Sequence, residues 1–344
     1  MLSASPARAD TRPVPAADAA YSDGDYKNAA KLWSEACESG NATGCYELSI
    51  VYRDGEGVAR DPAKSEKLLI RACDGGDGRG CFNLANLADP PSKVDLTEEH
   101  IAGGNPAQQA KATALYGRSC GAGFQQACAN LGSRLARGIG APKDLVKAVA
   151  LLKGACESGQ PDMGPACFQL SELYDGHVSA LAGEEADLAN RYLDLSCAMA
   201  DADACTNLGY HYRTGYGLKR DMIRSNTLYA MICEDGSEDE CPQFTYSEYF
   251  SGGGGYRIDN VRPSRRDVAG LYQKACDGGF AHGCVALARL IVRSGKARAS
   301  EPQIRELLGM ALKLDPQHWT AKLLLDYVNT TGLAEMDRRH ANDR

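Results

Sequence analysis

Aligned on one cysteine, seven segments of the chain carry the same order of large, small and glycine positions. Four residues before that cysteine stand Trp33, Leu69, Tyr116, Leu152, Leu193, Tyr229 and Tyr272, all large and apolar. Immediately before it stand Ala36, Ala72, Ser119, Ala155, Ser196, Ile232 and Ala275, mostly small. Two positions three apart share one face of an α-helix, so each segment predicts a helix, here called helix A. Three residues past the cysteine come Gly40, Gly76, Gly123, Gly159, Ala200, Gly236 and Gly279. Glycine just beyond a helical stripe takes the left-handed C-cap conformation, and helix A ends there.

A second cysteine opens the next helix. Three residues after it stand Leu48, Leu84, Leu131, Leu170, Leu208, Phe244 and Leu287, each followed by a small residue: Ser49, Ala85, Gly132, Ser171, Gly209, Thr245 and Ala288. A large residue beside a small one lets helices approach closely while the large side chain fills the gap, which predicts that helix B forms the buried seam. The segments Tyr52-Arg53-Asp54-Gly55-Glu56-Gly57-Val58 and Tyr212-Arg213-Thr214-Gly215-Tyr216-Gly217-Leu218 then give a glycine-rich exit turn, of which the third unit keeps Gly138-Ile139-Gly140.

All fourteen cysteines fall into this scheme, as Cys37/Cys45, Cys73/Cys81, Cys120/Cys128, Cys156/Cys167, Cys197/Cys205, Cys233/Cys241 and Cys276/Cys284. Six pairs are eight residues apart and the fourth eleven, so one local constraint is copied seven times. With one cysteine at the end of helix A and the other at the start of helix B, a disulfide across the hairpin is the expected constraint. Closing so short a loop is worth roughly 2 to 3 kcal/mol in the chain-entropy model. Zinc binding and redox catalysis compete with this reading. Zinc sites, however, use tighter Cys or Cys/His spacings, and redox sites need only one C-x-x-C.

The pattern A-C-x-x-G-x-x-x-G-C-x-x-L followed by Y-x-x-G-x-G-V resembles the Sel1-like repeat, in particular its cysteine-rich subclass from secreted helicobacter proteins; Ala275-Cys276-Asp277-Gly278-Gly279 running to Gly283-Cys284 carries it closely. The resemblance covers residues 24 to 300. It implies an all-α fold: a right-handed α/α superhelical solenoid of seven disulfide-stapled, tetratricopeptide-like helix pairs with a C-terminal helical cap. The expected units are about 24–60, 61–105, 106–142, 143–183, 184–219, 220–262 and 263–300. Residues 301–331, with Ala311-Leu312-Lys313-Leu314-Asp315-Pro316, form the cap, and 332–344 a flexible tail. The exits of units two and six depart from the pattern, at Asp89-Pro90-Pro91 with a long loop to Pro106, and at Cys241-Pro242 and Gly252-Gly253-Gly254-Gly255; surface insertions are the favoured reading, partner-contacting edges the other.

Residues 1–20, rich in Ala, Pro and Asp, are expected to be a disordered leader or the remnant of a signal peptide. Ala7-Arg8-Ala9 before Asp10 has the small-residue character of a cleavage site, without an apolar stretch ahead of it. A net charge of −7 with no basic run argues against nucleic acid, and no stretch of 18 apolar residues offers a membrane span. So many paired cysteines point to an oxidising compartment, the periplasm or the exterior, with the mitochondrial intermembrane space as the alternative.

Members of the resembled family have been described as penicillin-binding or as weak β-lactamases, and hydrolase chemistry would require matching catalytic residues. The chain has no Ser-x-x-Lys and no G-x-S-x-G. Its histidines, at 100, 177, 211, 282, 318 and 340, are all more than twenty residues apart and form no metallo-hydrolase motif. His211 and His282 are read as packed helix B side chains without a catalytic role. The carboxylate pairs Glu98-Glu99, Glu184-Glu185 and Asp239-Glu240 are read as solvated. No catalytic residue, cofactor or metal is therefore assigned. The expectation is a monomeric scaffold that holds an extended segment of a protein or peptide partner on its concave, helix A-lined face, with penicillin or cell-wall-peptide binding, or weak β-lactamase activity, as the alternative.

Overall fold

The computed structural model describes residues 13–89, 105–176, 185–235, 265–296 and 300–330. Among them there are sixteen α-helices and no strand. The chain divides into two compact units, Met1–Ala155 and Cys156–Arg344.

In the first unit the helices are α1 (Pro13–Ser22), α2 (Tyr26–Glu38), α3 (Ala42–Asp54), α4 (Pro62–Asp74), α5 (Gly78–Ala88), α6 (Pro106–Gly121), α7 (Gln125–Arg137) and α8 (Leu145–Cys156), whose last residue opens the second unit. Short polar residues start them. The side chains of Asp25, Asn41, Asp61 and Asp77 each accept a hydrogen bond from a backbone N–H of the following first turn, satisfying a donor that the helix cannot. Glycine stops them: Gly55 (φ 82°) and Gly138 (φ 74°) end α3 and α7 in the left-handed region.

Each helix from α1 to α7 packs on its neighbour in the chain, so the core runs as one seam rather than closing into a globule. Trp33, Leu48, Val51 and Leu68 fill it in the first two repeats; Leu69, Leu84, Tyr116, Leu131 and Leu135 continue it. The large position before the first cysteine and the Leu after the second are buried in both groups, as the pattern predicts.

Helix α1 corrects the expectation of a disordered leader through residue 20. Val14 and Ala17 are buried, Trp33 donates its indole N–H to Asp18 at 3.1 Å, and Tyr21 donates to Glu56 at 2.6 Å. An alanine-rich segment that reads as featureless thus acts as the partner that α2 needs on its open side. Residues 1–12 lie outside the described residues.

The second unit holds α9 (Gly164–Gly176), α10 (Glu185–Ala198), α11 (Ala202–Thr214), α12 (Met222–Asp235), α13 (Arg265–Asp277), α14 (Ala281–Ile291), α15 (Glu301–Leu314) and α16 (Trp319–Thr330). The eleven-residue cysteine spacing is explained by a 3₁₀ turn, Pro161–Met163, which takes up the extra residues ahead of α9. Leu193, Leu208, Leu228, Tyr229 and Phe280 form one part of the seam; Leu271, Tyr272, Leu287, Ile304 and Leu308 carry it into the last two helices. Burying each of these side chains contributes about 2 kcal/mol. Residues 301–330 are the helix pair α15–α16, packed on α14 through α15. Cys241, Phe244, Thr245, the Gly252–Gly255 tract, the long second exit from Pro90 to Gly104 and the tail lie outside the described residues. Among the described residues no helix is long and apolar enough to cross a membrane.

Candidate functional site

The repeated disulfide hairpin rigidifies the helices built on it. Six disulfides are present among the described residues: Cys37–Cys45, Cys73–Cys81, Cys120–Cys128, Cys156–Cys167, Cys197–Cys205 and Cys276–Cys284. Their Cα atoms are 4.4 to 4.9 Å apart. The glycine before the second cysteine makes this approach feasible. A Cβ placed on Gly44 would stand 2.6 Å from the Cβ of Ala36, one on Gly80 2.8 Å from Ala72, and one on Gly283 2.6 Å from Ala275. The small residue ahead of each cysteine is thus the contact surface between helix A and helix B. The seventh expected pair includes Cys241 and lies outside the described residues.

The exit turns are pinned to helix A of their own repeat. In the third and fifth repeats the middle residue of the glycine-x-glycine turn is gripped by a polar side chain: Thr113 donates to the carbonyl of Ile139 at 2.9 Å, and Asn190 Nδ2 donates to that of Tyr216 at 3.1 Å. Asn190 Oδ1 accepts from Nδ1 of the buried His211 at 2.6 Å, which explains a histidine in helix B. Burial holds the His211 ring below the ordinary histidine range, and nearby Asp175 opposes this only in part.

Within the second unit, one face of α10 opens onto a cleft of about 420 Å³. Asp187, Asn190, Arg191 and Asp194 line it at positions i, i+3, i+4 and i+7, one stripe of a helix. Tyr212 from α11, Arg224 from α12, Phe280 and His282 at the start of α14, and Leu314 and Asp315 at the end of α15 complete the wall. The charges are fixed. The Arg224 guanidinium sits 5.5 Å from the Tyr212 ring and 5.3 Å from the Phe280 ring, and pairs with Asp221 at 3.4 Å. Burial raises the Asp315 carboxyl above its ordinary range.

At the floor of the cleft, three groups far apart in sequence meet. Asp194 Oδ1 is 3.1 Å from His282 Nε2, and His282 Nδ1 is 3.1 Å from His318 Nε2. Burial works against the Asp194 charge, but the hydrogen bond from His282 and the surrounding positive charge outweigh it and hold the carboxyl below its usual range. Both rings are buried, at 2% and 1% exposure. Burial first, and then neighbouring His282, push the His318 ring down to about 3.

The sequence separates these groups by 88 and 36 residues, so no motif announces them. His282 is a packed helix B side chain, as read from the sequence, and it also joins the fifth repeat to α16. His318 drew no attention because it stands just ahead of a helix in a cysteine-free stretch. Its one legible signal is its place after Asp315-Pro316, where a helix is expected to begin. His100, His177, His340 and the carboxylates Glu98, Glu99, Glu184, Asp239 and Glu240 lie outside the described residues. Among the described residues no cluster of three His, Cys, Asp or Glu has a metal-binding arrangement.

The model of the Sel1 repeat family matches residues 20–41, 42–77, 125–160 and 202–237. These four segments of the chain are similar to Sel1 repeats. Solved structures agree on the fold: a protective antigen of uropathogenic Escherichia coli with an SLR fold is 20% identical, with a TM-score of 0.58 over 97% of this chain and 69% of that one. A Sel1 repeat protein from Oxalobacter formigenes is 17% identical, with a TM-score of 0.55 over 66% of this chain and 86% of that one. Mouse cytochrome c oxidase assembly factor 7 is 29% identical over 129 residues, 37% of this chain. The chain spans about half of that relative's length, 53%. The Sel1 units matched in the first half include α2 through α4 and the Cys37–Cys45 staple; those in the second include the exit turn at Gly215.

Proposed function

We propose that this Sel1 repeat protein is a non-catalytic adaptor that holds an extended segment of a protein partner in an oxidising compartment. The observation that carries this reading is the helix A stripe of α10, whose Asp187, Asn190, Arg191 and Asp194 line a cleft, with Asp187 and Arg191 exposed in it. Charges of both signs beside two aromatic rings suit a polar peptide with an occasional apolar side chain better than a lipid or a nucleic acid. Stapled repeats hold such a surface in shape before the partner arrives, which lowers the ordering cost of binding. Six disulfides fit the periplasm or the cell exterior. The mitochondrial intermembrane space is the second compartment, favoured by the similarity to the mouse assembly factor.

The test is selection of phage-displayed peptides on the oxidised protein, with Arg191→Glu and Asp187→Lys as counter-selections. A recurrent peptide that binds the wild type and loses at least about tenfold in affinity with both variants supports the reading. No recurrent peptide, or one indifferent to both substitutions, overturns it.

A further inference from the structure

A second cavity, of about 200 Å³, lies in the same unit; the Cys197–Cys205 disulfide, Met231, Ile232 and Val285 form its apolar wall, and His318, Thr320 and Arg289 are the polar groups that line it. It is independent of the peptide cleft, although His318 ties the two together. The hydrogen-bond chain dictates which nitrogen carries a proton. The Asp194 carboxylate only accepts, so His282 Nε2 is the donor to it; with one proton on each ring, His282 Nδ1 accepts from His318 Nε2–H. The proton of the neutral His318 ring is thereby used up, and Nδ1 is left as a lone pair. That atom is buried and has no hydrogen-bond partner among the described residues. A buried acceptor with nothing to accept is costly, and its cost disappears when a donor is supplied. Polarisation by the chain that ends on Asp194 makes it a stronger acceptor still.

We propose that this cavity binds a single phenol ring, whose hydroxyl donates to His318 Nδ1 while the ring packs among Met231, Ile232, Val285 and the disulfide. The walls select the ring. An apolar cavity of about 150 Å³ is known to hold benzene, so a volume of about 200 Å³ takes one ring with a polar substituent. Sulfur atoms from Met231 and the disulfide make favourable contacts with an aromatic edge. The relay selects the substituent: it offers one acceptor, which suits a single O–H donor. The phenol comes either from a free small molecule or from the tyrosine side chain of a bound partner.

The test uses the full oxidised chain, labelled with nitrogen-15 at histidine. p-Cresol is titrated against toluene, its counterpart without the hydroxyl, and against N-acetyl-tyrosinamide as the side chain on a backbone. The expected result is that p-cresol moves the His318 Nδ1 resonance and binds about tenfold more tightly than toluene, the weight of one hydrogen bond to a buried acceptor. Ala202→Leu, which fills the cavity from its exposed rim without touching the relay, abolishes p-cresol binding and leaves the His282 and His318 signals in place. Tyrosinamide binding as well as p-cresol identifies the source as a partner's tyrosine; p-cresol alone identifies it as a free phenol. Equal affinity for p-cresol and toluene, or an unchanged Nδ1 resonance because the cavity holds water only, overturns the proposal.

Discussion

Acidification is the perturbation that reaches the His318 relay most directly. The ring is 1% exposed and its pKa falls from the ordinary 6.5 to about 3 on folding. The unfolded chain therefore binds a proton at His318 between pH 6.5 and 3 that the folded chain does not. The contribution is fully present above pH 6.5 and is lost as the pH falls, by about 1.4 kcal/mol per pH unit. At pH 5 the second unit is thus about 2 kcal/mol less stable than at pH 7.5 from this group alone. Of the neighbouring carboxyls, Asp194 is held below its ordinary range and adds a slope of the same sign, whereas burial raises Asp315 and its slope has the opposite sign. His211, also held below its ordinary range, adds a slope of the same sign. Trp319 begins α16 directly after His318 and is one of two tryptophans. In a Trp33→Phe background its fluorescence follows urea unfolding of this end of the chain, and a loss of about 2 kcal/mol lowers the midpoint by about 1 M. His318→Gln, which still offers His282 a donor, removes the His318 share and leaves the shallower His211 slope. Equal pH slopes for the two proteins between pH 7.5 and 5 would refute the assignment of the relay.

Other substitutions test the repeat itself. Ala200 occupies the C-cap position that is glycine in the other described repeats and has φ 67°, so Ala200→Gly relieves a left-handed alanine and raises stability by up to about 1 kcal/mol in thermal unfolding, net of the flexibility glycine adds to the unfolded chain. Gly140→Ala places a Cβ 2.3 Å from the Gln109 carbonyl oxygen at a residue with φ 68°; a loss of about 3 kcal/mol is expected in chemical denaturation, and a neutral result would contradict the docked exit turn. Replacing Cys73 and Cys81 together with serine removes one staple and costs about 2 to 3 kcal/mol, with increased hydrogen exchange in α4 and α5 as the local sign.

How much of this was legible depended on distance along the chain. The helix pairs were, because their signals lie within one repeat: Leu48 and Ser49, Ala36 and Gly44, and Gly55 with Gly57 all act on residues fewer than forty positions away. The disulfide pairing was legible for the same reason. Helix α1 was not, since Val14 and Ala17 make sense only once Trp33 stands opposite them. The relay was wholly illegible: Asp194 and His282 meet across repeats whose stacking no local pattern encodes, and a buried histidine has the same sequence signature whether or not another lies beside it. The cleft on α10 falls between these cases. Its i, i+3, i+4, i+7 stripe can be read from the sequence, but that the stripe faces an opening cannot.

The staples also bear on how the protein becomes oxidised. Each of the twelve cysteines in these six bonds is joined to one eight or eleven residues away, inside its own hairpin, and none of the six bonds joins one repeat to another. Loop-closure entropy favours the nearest partner, so under oxidising conditions a cysteine on an emerging chain meets its native partner before any distant competitor has appeared. Correct pairing then follows the order of emergence, one hairpin at a time, and depends little on an isomerase that reshuffles mistaken bonds.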